Sequence, residues 1–165
     1  KVLALGLSPT LPSAASAPPA APAGGKPPAI EEKTANMKKL DGFTRVRRRN
    51  AAHFQELFGG DKRFILQREN GESSWFSFTI ILAPEMNIDR RRVMAALAQA
   101  DIGYRIITGG NFLRHDVMKY FDYSCAAPVV NADIAHDRGF FVGNHPSDLR
   151  DKIDTLRRVL DEAAR

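Results

Sequence analysis

Ser74-Trp75-Phe76-Ser77-Phe78-Thr79-Ile80-Ile81-Leu82 is the stretch on which the fold turns. It is dense in aromatic and β-branched residues, which suit a pleated, half-buried surface, and Pro84 closes it. Alternation places Phe76, Phe78, Ile80 and Leu82 on one face and Trp75, Ser77, Thr79 and Ile81 on the other. An apolar strand face needs a cover, and the flanking sequence supplies one. Upstream, Glu69–Glu72 turns around Gly71 and Arg63–Gln67 reads as a short strand. Before it, Met37, Leu40, Phe43, Val46, Phe54, Leu57 and Phe58 recur at helical spacing, with Asn36 as the expected cap, a blur around Asn50, and a stop at Gly59-Gly60. Downstream, Ile88, Val93, Met94 and Leu97 mark a second helix opened by Asn87 or Asp89. Tyr104–Ile107 and Phe140–Gly143 are strand candidates. Between them come the loop Thr108-Gly109-Gly110-Asn111, a helical turn at Val117–Phe121, and a short helix over Ala132–Asp137 capped by Asn131 and ended by Gly139. Ser147 is the expected cap of a last helix carrying Leu149, Ile153, Leu156 and Leu160. The pattern predicts an α+β fold, a sheet of three or four strands covered by helices.

Composition divides the chain. Of its 165 residues, ten are proline, and seven of those precede Ile30. Residues 1–36 are therefore expected to form a disordered Pro/Ala-rich tail, and residues 37–165 a single domain. The lone cysteine, Cys125, excludes an internal disulfide framework and a Cys-rich zinc or iron–sulfur site within these residues. No apolar run approaches the roughly 20 residues of a membrane span. Val2–Leu7 is too short an apolar core for a signal peptide and is followed by Pro9 and Pro12, so a cytoplasmic location is expected. The net charge of +5 admits an anionic partner. Its densest source, Arg45, Arg47, Arg48 and Arg49, reads as the wet side of the first helix. No RNA-binding aromatic motif accompanies it, and nucleic acid is not the expected partner.

Reactive side chains gather between Gly109 and His145. Cys125 has no motif around it that would mark a nucleophile, and it reads as a partly buried thiol. His115, His136 and His145 lack metal-ligand spacing, so no metal is expected. Gly109-Gly110 offers bare backbone N–H groups of the kind that bind anions, without a Walker lysine or GxGxxG. Asn111 and Arg114, three residues apart, pair an amide with a guanidinium and could meet hydroxyls and a phosphate from one surface. Trp75, opposite the phenylalanines, is either an exposed stacking surface or a side chain packed under another element.

Three segments carry a family resemblance: Ser74–Phe78, Arg105–Arg114 and Asn131–His145. They resemble the carboxy-terminal domain of the DegT/DnrJ/EryC1/StrS enzymes, PLP-dependent proteins acting on nucleotide-linked keto-sugars. The likeness is strongest to the 3-dehydrases of CDP-4-keto-6-deoxyglucose type that serve lipopolysaccharide deoxysugars. It runs from about Lys38 onward. It implies the small C-terminal domain of a fold-type-I enzyme, closing over a cleft whose PLP or PMP is held by a large domain without counterpart in this sequence. On that account the chain by itself is expected to bind no cofactor and to be inactive. The resemblance further implies a nucleotide-sugar substrate, a homodimer and, for a dehydrase, an iron–sulfur reductase partner. Carried over position by position, Asn111 and Arg114 face the sugar or phosphate, His136 and His145 hydrogen-bond in the cleft or interface, and Trp75 forms a wall; none is the proton-transferring catalyst. Asp101 departs from the glycine that often precedes Ile102 in the family. The competing expectations are a non-enzymatic basic interaction module and a truncated product without function.

Overall fold

The computed structural model describes residues 30–165, with side chains from Met37 on; the rest of the expected tail, residues 1–29, lies outside the described residues. The elements are α1 (Ile30–Phe58), β1 (Phe64–Leu66), β2 (Ser77–Leu82), α2 (Arg90–Gln99), β3 (Tyr104–Ile106), α3 (Val130–Arg138), β4 (Gly139–Gly143) and α4 (Arg150–Ala163), with short 3-10 turns at Pro84–Met86, Phe112–Arg114 and Asp116–Tyr120. The four strands form one sheet in the order β1-β2-β4-β3. All pairings are antiparallel, with Phe64 opposite Leu82, Ile80 opposite Phe140, and Tyr104 opposite Val142.

The alternation of β2 is realised: Phe78, Ile80 and Leu82 are buried while Ser77, Thr79 and Ile81 are half-buried. They share one core with Phe140 and Val142 of β4, Phe54 and Phe58 of α1, Val93 and Leu97 of α2, and Ile153, Leu156 and Leu160 of α4. Phe54 bridges helix and sheet, stacking on Phe78 with centroids 4.4 Å apart and on Phe58 at 4.7 Å. Such offset pairs add roughly 0.5–1.5 kcal/mol beyond area burial.

The strand starts three residues later than the sequence predicts, and this reverses two side chains. Trp75 has φ +50, a left-handed backbone that breaks the alternation. Trp75 therefore turns into the core at 2% exposure and Phe76 turns out at 70%. The conformation costs roughly 1–2 kcal/mol for a non-glycine residue. Burying a large aromatic side chain contributes about 1.5–3 kcal/mol, enough to offset it.

Helix starts also differ from expectation. α1 begins at Ile30, so Asn36 lies inside it; no proline or glycine interrupts Ile30–Asn36, and helix formation continues upstream. It packs through Asn50, Ala51, Phe54 and Phe58, while Met37, Leu40 and Phe43 are exposed. α3 begins at Val130, which places Asn131 inside the helix, and Gly139 ends it. Asp89 caps α2, its side chain accepting from the Arg91 amide at 2.9 Å. Ser147 does not cap α4. The Leu149 amide donates to Asn50 Oδ1 at 3.3 Å and the Arg150 amide to Asp148 Oδ1 at 3.2 Å, so other side chains already serve the donors a serine cap would take. Among the described residues no helix is long and apolar enough to cross a membrane.

Candidate functional site

The loop after β3 and the helix before β4 meet at one end of the sheet because β3 and β4 run antiparallel. Gly109 (φ +82) and Gly110 (φ +46) both adopt left-handed backbone, which two consecutive glycines permit. Asn111 then opens the Phe112–Arg114 turn, its Oδ1 accepting from the Leu113 amide at 3.0 Å. Its Nδ2 donates to Asp133 Oδ1 of α3 at 2.7 Å, and its backbone amide donates to His136 Nδ1 at 3.2 Å. Asn111 is buried at 4% exposure with both ends of its amide engaged; it shapes the loop.

Arg114 stands at the surface of the same cluster. Its Nη1 donates to Asp137 Oδ1 at 2.7 Å and lies 3.7 Å from Asp133 Oδ1. The Arg114 hydrogen bond holds the Asp137 carboxyl below the usual carboxylate range. One edge of this half-exposed guanidinium is thus oriented by acids, and its remaining N–H groups are of the kind that bind an anion in fork geometry. His115 Nε2 donates to the Gly109 carbonyl at 2.6 Å, its ring stacked with Phe112 and edge-on to His136. The structure thus brings Asn111, Arg114 and His136 together with His115, Asp133 and Asp137, all within the reactive segment between Gly109 and His145. The two acids sit at i and i+4 on α3 and so share one face.

His145 and Trp75 do not join it. His136 precedes β4 and His145 follows it, which separates them by about 16 Å along a five-residue strand. His145 is exposed, its Nδ1 3.1 Å from Ser147 Oγ, on the rim of a groove of about 530 Å³ lined by Phe78, Ile102, Val142 and Leu156. Trp75, the candidate wall, takes the other reading open to it and packs in the core; what reaches the surface there is Phe76.

This second end is organised by two asparagines that periodicity reasoning passes over. Asn50 and Asn144 are buried at 0% and 2% exposure. Asn50 Nδ2 donates to Asn144 Oδ1 at 3.0 Å and to the Ser147 carbonyl at 2.8 Å; Asn144 Nδ2 donates to the carbonyls of Trp75 at 2.8 Å and Arg47 at 3.0 Å. The signal was the blur in the helical stripe at Asn50. The arginine run is also not simply a wet face: Arg47 donates to the Asn144 carbonyl at 3.0 Å and covers Phe76, and Arg48 pairs with Glu69 at 3.1 Å. Cys125, expected to be partly buried, is exposed. Among the described residues no group of three His, Cys, Asp or Glu side chains is placed to hold a metal ion.

Comparison with known proteins places the chain. The DegT/DnrJ/EryC1/StrS aminotransferase family profile matches residues 33–160. The chain belongs to this family. It is 44% identical over 125 residues to a GDP-4-keto-6-deoxy-D-mannose 3-dehydratase of Escherichia coli O55:H7, and 42% identical over 125 residues to one of Yersinia pseudotuberculosis, matching 75% of this chain and 32% of each relative. Among solved structures, the E. coli GDP-4-keto-6-deoxy-D-mannose-3-dehydratase with bound hydrated PLP superposes with a TM-score of 0.74 at 43% identity, covering 77% of this chain and 33% of that one. The chain thus spans about a third of the length of the relatives it matches. The α+β fold inferred from the strand pattern is the fold of the matching part of this family.

A PLP site needs an amine or its substitute beside the cofactor aldehyde and an acid against the ring nitrogen in a closed pocket. Lys119 is held by Asp116 at 2.6 Å on an exposed turn, Lys38, Lys39 and Lys62 are exposed, and Lys152 is an exposed side chain at the groove. The described residues do not fit the cofactor.

Proposed function

We propose that this chain provides the substrate-closing domain of a PLP- or PMP-dependent 3-dehydratase acting on a nucleotide-linked 4-keto-6-deoxysugar, with a GDP sugar as the substrate. What carries this reading is the 42–44% identity to two relatives named for that sugar and reaction. It replaces the CDP sugar expected from the resemblance. The site's chemistry agrees in kind: a guanidinium oriented by Asp133 and Asp137, beside a loop of two glycines, suits a diphosphate and its adjoining sugar. On this proposal Arg114 is the substrate-facing charge, Asn111 shapes its loop, and the whole enzyme is a cytoplasmic homodimer serving deoxysugars of lipopolysaccharide.

The test is a chimera in which residues 33–160 replace the matching segment of the E. coli enzyme. The expected result is a folded, PLP-binding protein that consumes GDP-4-keto-6-deoxymannose by dehydration. Arg114→Met in that chimera should raise KM about tenfold with a smaller effect on kcat, the cost of one charge-assisted contact. A folded, PLP-loaded chimera that transaminates this sugar, or ignores it, refutes the proposal.

A further inference from the structure

The Gly109–Arg114 loop is held by a side chain from another element. The Asn111 amide donates to His136 Nδ1, so that ring nitrogen is the acceptor. The same ring fills the space beside Gly110: a Cβ there would lie 2.5 Å from Nδ1 and 2.9 Å from Cγ, and the φ of +46 already disfavours a side chain. His136 is itself braced. Arg90 Nη1, from the first turn of α2, donates to the His136 carbonyl at 2.7 Å and lies 3.4 Å from the Gly139 carbonyl, where α3 ends. The loop, the ring and the guanidinium form one chain of contacts across three elements.

We infer that His136 is a positioning residue that sets the substrate loop through the Asn111 amide, with Arg90 as its brace, and that it does not touch substrate. What the loop faces rests on the function proposed above; how the loop is held does not.

Three substitutions in the full chain separate the alternatives. His136→Asn places a carbonyl oxygen near the position of Nδ1, His136→Gln reaches toward the position of Nε2, and His136→Ala supplies neither. The first readout is hydrogen exchange at the Asn111 amide by NMR without ligand; the second is GDP titration followed on the Gly110–Arg114 amides. The Gln and Ala variants should exchange about tenfold faster at Asn111 and bind GDP several-fold more weakly, while the Asn variant stays near wild type on both. Gly110→Ala, which displaces the ring with His136 intact, should reproduce the exchange of His136→Ala. The inference is overturned if Gln preserves binding where Asn loses it, which would mark contact through Nε2. It is also overturned if exchange at Asn111 is unchanged in the Gln, Ala and Gly110→Ala proteins. If exchange follows the expected order but the wild type shows no GDP-dependent shift, the positioning role stands and the GDP-sugar reading fails.

Discussion

Asp101 has φ +54 just past the end of α2. Around it, the Ile102 amide donates to the Leu97 carbonyl at 2.9 Å and the Asp101 amide to the Ala98 carbonyl at 3.1 Å, the Schellman pattern in which the left-handed position is usually glycine. Asp101→Gly should therefore stabilise the chain, by about 0.5 kcal/mol because the added freedom of glycine in the unfolded state offsets part of the relief. That is a rise of roughly 1–3 °C in thermal midpoint. An unchanged or lower midpoint would show that the aspartate has a compensating local contact. Asn144 is the opposite case, a residue with no tolerance. Asn144→Asp is nearly isosteric, yet it turns a donor that serves the Trp75 and Arg47 carbonyls into an acceptor facing them. The expected loss is about 2–4 kcal/mol in urea unfolding at neutral pH.

At the scale of elements, the end of α1, β1 and α4 are tied by an ionic cluster. Arg63 pairs with Asp61 at 2.8 Å and with Asp161; Arg157 reaches Asp61 at 2.9 Å and Asp161 at 3.0 Å, and donates to the Leu57 carbonyl at 3.0 Å. The Arg63 hydrogen bond lowers the Asp61 carboxyl from its ordinary 3.8 to about 2. Burial works against ionisation of Asp161, but hydrogen bonds from Arg63 and Arg157 outweigh it and the net shift is downward. A carboxyl lowered on folding binds fewer protons in the native state, so its contribution is complete above about pH 3.8 and is lost as pH falls through about 2. Urea midpoints measured from pH 5 to pH 2 should fall for the wild type, and the fall should be shallower in Asp61→Asn, which starts less stable; parallel slopes would remove Asp61 as a source. The Arg157–Asp161 pair is an ordinary i,i+4 spacing on α4, but the joining of the two ends was not legible in the sequence, because Asp61 and Asp161 are 100 residues apart and periodicity says nothing about which charges meet. The helices and strands were legible, because burial imposes periods of 3.6 and 2 directly on the residues. Helix starts at Val130 and Arg150 were not, because neither residue at the N-cap supplies a side-chain hydrogen bond. The candidate site was half legible: loop glycines, Asn111 and Arg114 are local signals, but whether a side chain faces solvent or a neighbour depends on α3.

Among the described residues, large apolar side chains stand open to solvent singly, as at Ile65, Phe76 and Met86, and gathered in two places. Met37, Leu40 and Phe43 are exposed along α1, and Ile106, Phe112, Tyr120, Phe121 and Val130 are exposed around the segment between β3 and α3. Monomeric proteins rarely leave patches of this kind open. The native chain should bind a hydrophobic dye, and the triple change Phe112→Ser, Tyr120→Ser, Phe121→Ser should weaken that signal by more than half while the unfolding free energy from urea titration stays within about 0.5 kcal/mol of wild type. Dye binding unaffected by the triple change would place the open surface elsewhere. The strand order has a consequence for synthesis. β3 pairs only with β4, yet Gly139 follows Ile106 by 33 residues. At ordinary translation speeds the nascent β3 waits roughly 2–7 s for its partner. During that wait Tyr104-Arg105-Ile106 is a bare edge on the growing polypeptide, and Arg105, a charge in the middle of three residues, is the one element of it that discourages pairing with another nascent chain.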